Sequence, residues 1–189
     1  APDVVPTGHH DLAEAGARVR YHRVDVTDAA ALAAAVRSAY EAHGRLDGVV
    51  HAAALLGERA PVEHYDVVTW LKVMHVNVHA AFILTQALLP LLRASEDASV
   101  VFVTSGVSVQ GRAYWGAYAA SKFAVEGLMQ VLADETDTVT NIRVNSVNPG
   151  RMRTSMRARA YPGENPATVP LPEQVLAPFL YLLGPDGRG

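Results

Sequence analysis

The 189-residue sequence predicts an α/β fold in which a parallel sheet carries helices on both faces, a doubly wound arrangement. Three observations lead there. Short Val- and Ile-rich runs alternate along the chain with longer Ala-, Leu- and Met-rich stretches. The short runs are largely continuous in apolar residues, as strands buried on both faces are. Each one also passes directly into polar or turn residues, where such a sheet places its chemistry.

Strands are expected at 18–24 (RVRYHRV), 48–53 (GVVHAA), 99–104 (SVVFVT) and 142–147 (IRVNSV). Between and after them, helices are expected near 29–42, 67–92, 114–135 and 173–183, with Pro90 kinking or ending the second. The segment 161–172 holds Pro162, Pro166, Pro170 and Pro172 and reads as an ordered loop or lid. No linker or internal repeat divides the chain, so 1–189 is expected to be a single domain.

Composition narrows the function classes. With 50% hydrophobic and 19% charged residues, the chain is not of the disordered type. Sixteen basic residues against 19 acidic ones leave a net charge of -3, which offers no broad footprint for nucleic acid. The absence of cysteine removes disulfides, thiolate metal sites and thiol nucleophiles. The most apolar stretch, 80–92, is shorter than the roughly 20 residues needed to cross a bilayer. A soluble, cytoplasmic protein without a membrane or nucleic-acid partner is the expectation.

Tyr118-Ala-Ala-Ser121-Lys122 is the sharpest local feature. Positions i and i+4 share a helix face, so a phenol and an ammonium can converge on one ligand. Bringing a tyrosine pKa from near 10 to about 7 takes roughly 4 kcal/mol. One ammonium about 4 Å away at an effective dielectric near 20 supplies that. Only two of the 16 basic residues, Lys72 and Lys122, are lysine, which singles out a compact ammonium at this position.

Other residues complete the pattern. Ser105 ends a strand 13 positions before Tyr118, and Asn77 lies in the preceding long helical stretch. Together with Asp25, the turn at His51-Ala52-Ala53-Ala54 and Asn148-Pro149-Gly150, this order resembles the short-chain dehydrogenase/reductase family. The stretches HAAALLG (51–57), LTQALLPLL (84–92), WGAYAASKFAVEGLMQVLADE (115–135) and NPGRMRTSMRARAYPGENP (148–166) are similar to its YciK-like branch. The resemblance runs from about Val19 to the C-terminus.

It implies a Rossmann-like sheet and an NAD- or NADP-dependent oxidoreductase acting on a small carbonyl or alcohol. Tyr118 would be the general acid, Lys122 would lower its pKa and hold the nicotinamide ribose, and Ser105 would hold the substrate oxygen. Asn77 would order a water linking Lys122 to solvent. Asp25 would accept from the adenine amino group beside Val26, and His51, Ala52 and Ala53 would line the cofactor. Pro149, Gly150 and Thr154 would line the nicotinamide and its carboxamide. No metal is implied.

Two departures qualify the resemblance. Where the family shows Asn-Asn-Ala-Gly, this chain has His51-Ala52-Ala53-Ala54. The family's Thr-Gly-x3-Gly-x-Gly loop is also absent; Thr7-Gly8 begins like one, but no later glycine falls where it is needed. The expectation is therefore a short-chain reductase cut at both ends, without its first strands and last strand. A catalytically silent remnant or binding subunit is the alternative from another class, and an epimerase or dehydratase the alternative among enzymes.

Other features have plainer readings. His75 and His79, at i and i+4, lack a matching carboxylate for a metal. Arg151, Arg153, Arg157 and Arg159 read as a solvated loop before they read as a grip for an anion. Trp115 and Arg112 lie where pocket walls sit in this fold. The helices at 80–92 and 118–133 carry apolar faces broader than one core needs, so a homodimer or homotetramer through them is expected, with Leu88 as a contact.

Overall fold

The computed structural model describes residues 19–187. Its sheet has three parallel strands, β1 (Gly48–His51), β2 (Ala98–Val103) and β3 (Ile142–Val147), in the order β1-β2-β3. Val50 pairs with Val101, and Val101 with Asn145. Parallel neighbours require crossovers. Helix α1 (Ala29–His43) precedes β1, and α2 (Val67–Met74) and α3 (Ala80–Arg93) join β1 to β2. Helix α4 (Gly116–Thr136) joins β2 to β3, and α5 (Ser155–Ala160) and α6 (Ala177–Leu183) follow.

On one face of the sheet, Val100 and Phe102 meet Leu88 and Leu92 of α3 and Val125 and Leu132 of α4 in the main buried cluster. Helix α6 touches β2 and β3, and a Cβ at Gly48 would meet Leu183 at 2.9 Å. The doubly covered sheet thus follows from strands apolar on both faces.

Several expectations need correction. Residues 19–24 form no strand; they lack regular secondary structure, and most of their side chains are exposed. An apolar run becomes a strand only where a neighbouring edge accepts its ladder, and the sheet of the described residues ends at β1. Residue 18, the first of that run, lies outside the described residues, as do Thr7 and Gly8.

The long helix keeps its course through Pro90 and ends at Arg93. Its irregularity lies earlier, in a π-helical turn at His75–His79 where the Ala80 N–H donates to the His75 carbonyl. The whole run Val67–Arg93 is 27 residues, long and apolar enough by length and composition to cross a membrane, which 80–92 alone is not. In this fold it packs against β2 and α4.

Tyr114, expected inside a helix, has φ 70, so α4 begins at Gly116. The last helix divides into a short turn at Pro172–Val175 and α6, because Pro178 has no N–H to carry the earlier turn into α6. Leu88 is buried in the monomer core and is no surface contact. The exposed apolar side chains of these helices are Phe82, Phe123 and Val131.

Candidate active site

The carboxyl ends of the strands open onto one crevice. A cavity of about 310 Å³ is lined by Ala52, Leu56, Thr104, Ser105, Trp115, Tyr118 and Lys122. Ala54, Val103, Asn148, Pro149, Gly150, Arg151, Met152, Thr154, Met156, Arg157, Ala160 and Tyr161 complete it. A smaller cleft of about 70 Å³ adjoins it through Ala52 and is lined also by Val26, His51 and Ala53. The structure thus gathers Ser105, Tyr118 and Lys122 in one place and Val26, His51, Ala52 and Ala53 in another, with Asp25 outside both.

Tyr118 and Lys122 stand one turn apart on α4, facing the end of β2. Tyr118 and Ser105 both line the cavity, with the Ser105 side chain beside the phenol. Burial pushes the phenol above its ordinary value, and the Ser105 side chain opposes the rise. Lys122 is buried; its Nζ donates to the Val103 carbonyl at 2.6 Å and lies 5.7 Å from the centre of the Tyr118 ring. Burial lowers its pKa to about 8. The expectation that Lys122 draws the tyrosine down by Coulomb attraction is therefore not met in this arrangement. Burial governs both groups and favours the neutral form of each.

Asn77 sits buried in the π turn. Its Oδ1 accepts from the Leu55 N–H at 2.7 Å, and its Nδ2 donates to the Leu55 carbonyl and to Ser121 Oγ, each at 2.9 Å. Ser121 Oγ in turn donates to the Tyr118 carbonyl at 2.8 Å. Both amide hydrogens are engaged, so Asn77 pins the loop after β1 to α4; the expected water would have to bind at its oxygen.

His51 lines the smaller cleft. Its ring stacks on Phe102 with centroids 4.7 Å apart, and its Nε2 lies 3.0 Å from Thr85 Oγ1. Burial lowers its pKa to about 4, so the ring is neutral. Asp25 accepts from Thr27 N at 2.9 Å and Thr27 Oγ1 at 2.7 Å; the backbone hydrogen bond, then the hydroxyl one, holds the carboxyl below its usual range.

At the other end, Gly150 donates to Asn148 Oδ1 at 3.0 Å with φ 75, and a Cβ there would meet open space. Thr154 lines the cavity while its Oγ1 caps α5 by accepting from Arg157 N at 3.1 Å.

Sequence reasoning missed part of the lining. Leu56, Met156 and Tyr161 carry no motif, although the last falls in the proline-rich segment singled out above. Arg112 does not line the cavity, whereas Trp115 does. Among the described residues, no group of three or more possible metal ligands occurs.

Residues 5–165 match the family model for short chain dehydrogenases. The chain belongs to this family.

It is 54% identical over 144 residues to the uncharacterized oxidoreductase YciK of Escherichia coli (strain K12), covering 76% of this chain and 56% of that protein. To trans-4-hydroxycyclohexanecarboxylate dehydrogenase of Sinomonas cyclohexanicum it is 36% identical over 135 residues, 71% of this chain and 51% of that one. The chain spans about half the length of the curated relatives it matches. The solved E. coli YciK chain superposes with a TM-score of 0.89 at 45% identity, covering 96% of this chain and 74% of its own. A chain from E. coli CFT073, complexed with NADPH, gives 0.90 at 45%, covering 96% and 75%. The Rossmann-like fold and the YciK-like branch are thus both supported.

Proposed function

We propose that the protein transfers hydride between NADP(H) and a small carbonyl or alcohol. The observation that carries this reading is the convergence of Tyr118, Ser105 and Lys122 on one cavity. A phenol kept protonated by burial is a proton donor, the form needed when a carbonyl oxygen gains charge. Ser105 holds that oxygen against Tyr118. Lys122, still mainly charged at neutral pH, orients a ribose hydroxyl. Asn77 acts as a positioning residue through Leu55 and Ser121.

The residues present fit the nicotinamide end of the cofactor. The left-handed Gly150, with open space at its Cβ position, lets the backbone come close to a flat ring, and Pro149 and Thr154 flank it. The bound cofactor would supply the hydride. Val26, Ala52 and Ala53 would line the adenine side. NADP is favoured because similar solved chains were complexed with NADP and NADPH. The glycine-rich pyrophosphate turn is not among these 189 residues, which favours the silent-subunit reading for the chain on its own. A homo-oligomer and a cytoplasmic location complete the proposal.

Tyr118→Phe in the full-length protein tests it. Carbonyl-dependent NADPH oxidation is expected to vanish while NADPH affinity stays within a few-fold. Turnover near wild type would overturn the assignment, and a wild-type protein that binds no NADPH would favour the silent subunit.

A further inference from the structure

One wall of the cavity is aromatic. Trp115 belongs to a buried cluster with Leu56, Val107 and Ala160, against which Tyr118, Met156 and Tyr161 pack. The Trp115 ring lies 5.9 Å from that of Tyr118 and 5.8 Å from that of Tyr161, tilted 57° and 45°. Two guanidiniums hold Tyr161. Arg59 lies 5.7 Å from its ring centre and 5.1 Å from that of Trp115, and donates to the Ala160 carbonyl. Arg157 stacks at 3.8 Å from the Tyr161 ring centre. The slot therefore offers aromatic surface held in place from behind.

Lys122 and Arg157, two of the three cations that line it, are engaged. Arg157 closes Nε and Nη2 on the two oxygens of Glu164, at 2.6 and 2.7 Å. The hydrogen bond from Arg157 holds the Glu164 carboxyl below its usual range. Arg151 lies 3.8 Å from the same carboxylate and is mostly exposed, and Arg153 Nε donates to the Val169 carbonyl. Lys122 donates to Val103. A substrate carboxylate entering this cavity would give up water and find open only Arg151, whose mostly exposed guanidinium is a weak, solvent-screened partner. The volume of about 310 Å³ is near the lower end of the roughly 300–1,000 Å³ of small-molecule sites, and the nicotinamide would take part of it.

From these facts we propose that the cavity takes uncharged, single-ring carbonyl compounds and turns away carboxylated ones, with Trp115 and Tyr161 as specificity-determining residues. The inference rests on the carbonyl-reductase reading above. Glu164 is a positioning residue that keeps Arg157 closed. Removing its charge opens the guanidinium toward an anionic ring.

The test compares NADPH oxidation by the full-length protein with benzaldehyde, butanal and 4-formylbenzoate. Benzaldehyde is expected to lead in kcat/KM by about tenfold or more, since ring stacking adds to its binding and an unpaired carboxylate subtracts. Trp115→Ala should cost benzaldehyde about threefold to tenfold, mainly through KM, and lower the benzaldehyde to butanal ratio of kcat/KM. Glu164→Gln should raise the 4-formylbenzoate to benzaldehyde ratio by about tenfold. Butanal or 4-formylbenzoate matching benzaldehyde in the wild type would overturn the proposal while leaving the reductase reading intact.

Saturation-transfer NMR with benzyl alcohol, without NADPH, separates the other case. Trp115-dependent binding with no carbonyl reduced would sink the reductase reading and keep the ring site. Neither binding nor turnover would overturn both.

Discussion

The substitution Lys122→Met isolates the cost of a buried ammonium. Lys122 is 4% exposed, and burial lowers its pKa from 10.5 to about 8. In the unfolded chain the ammonium regains water and its ordinary pKa. At pH 7 both states hold the proton, and the folded state bears the difference, about 3 kcal/mol. Between the two pKa values the unfolded chain binds the proton and the folded chain does not, so wild-type stability rises with pH. From about pH 7 to 9.5 this recovers about 2 kcal/mol, or about 4–8 °C in Tm for a chain of this size. The methionine side chain has nothing to titrate and nearly keeps the stem's length, while losing the bond to the Val103 carbonyl at every pH alike. Thermal melts of the two full-length proteins across that range are expected to give a wild-type-minus-variant difference that climbs by this amount. Parallel curves, or a difference that falls with pH, would refute the view that burial sets the state of Lys122.

Asn77→Ala removes three hydrogen bonds of 2.7, 2.9 and 2.9 Å, so urea denaturation should show a loss of about 3 kcal/mol; a loss well under 1 kcal/mol would mean the loop after β1 is held by something else. Glu introduced at Phe82 and Phe123 should lower the assembly state seen by sedimentation velocity without loss of fold, whereas Leu88→Glu should unfold the monomer, since Leu88 is core. A folded wild-type monomer at the same concentration removes the assembly claim. The 189-residue chain alone should bind NADPH no better than about millimolar by calorimetry, because several charge-assisted bonds of roughly 1.5–3 kcal/mol each go with the glycine-rich turn. A micromolar constant would mean other residues rebuild the phosphate site.

The layered architecture and most of the reacting constellation are legible in the sequence alone. Continuous Val/Ile runs place β1, β2 and β3 to within a few residues, because burial on both faces leaves a local trace in composition. Helical spacing puts Tyr118 and Lys122 on one face, and the end of an apolar run puts Ser105 at a strand terminus. These are properties of single elements, and the backbone repeat alone fixes them. The rest depends on partners distant in the chain, which the closed fold supplies. Residues 19–24 read as a strand, yet ladder pairing is a property of two segments. His51 reads as a cleft residue, and the fold adds Phe102 and Thr85 as the partners of its ring. Asn77 keeps its place, but Leu55 and Ser121 take its amide hydrogens. The sign of the tyrosine shift goes to burial over Coulomb attraction, since desolvation depends on everything packed around the pair. No periodicity could bring Arg59 to the Ala160 carbonyl, 101 residues away, to brace the aromatic wall. Element type is encoded nearby, whereas the commitment of each polar group is settled by whichever neighbours the tertiary structure delivers.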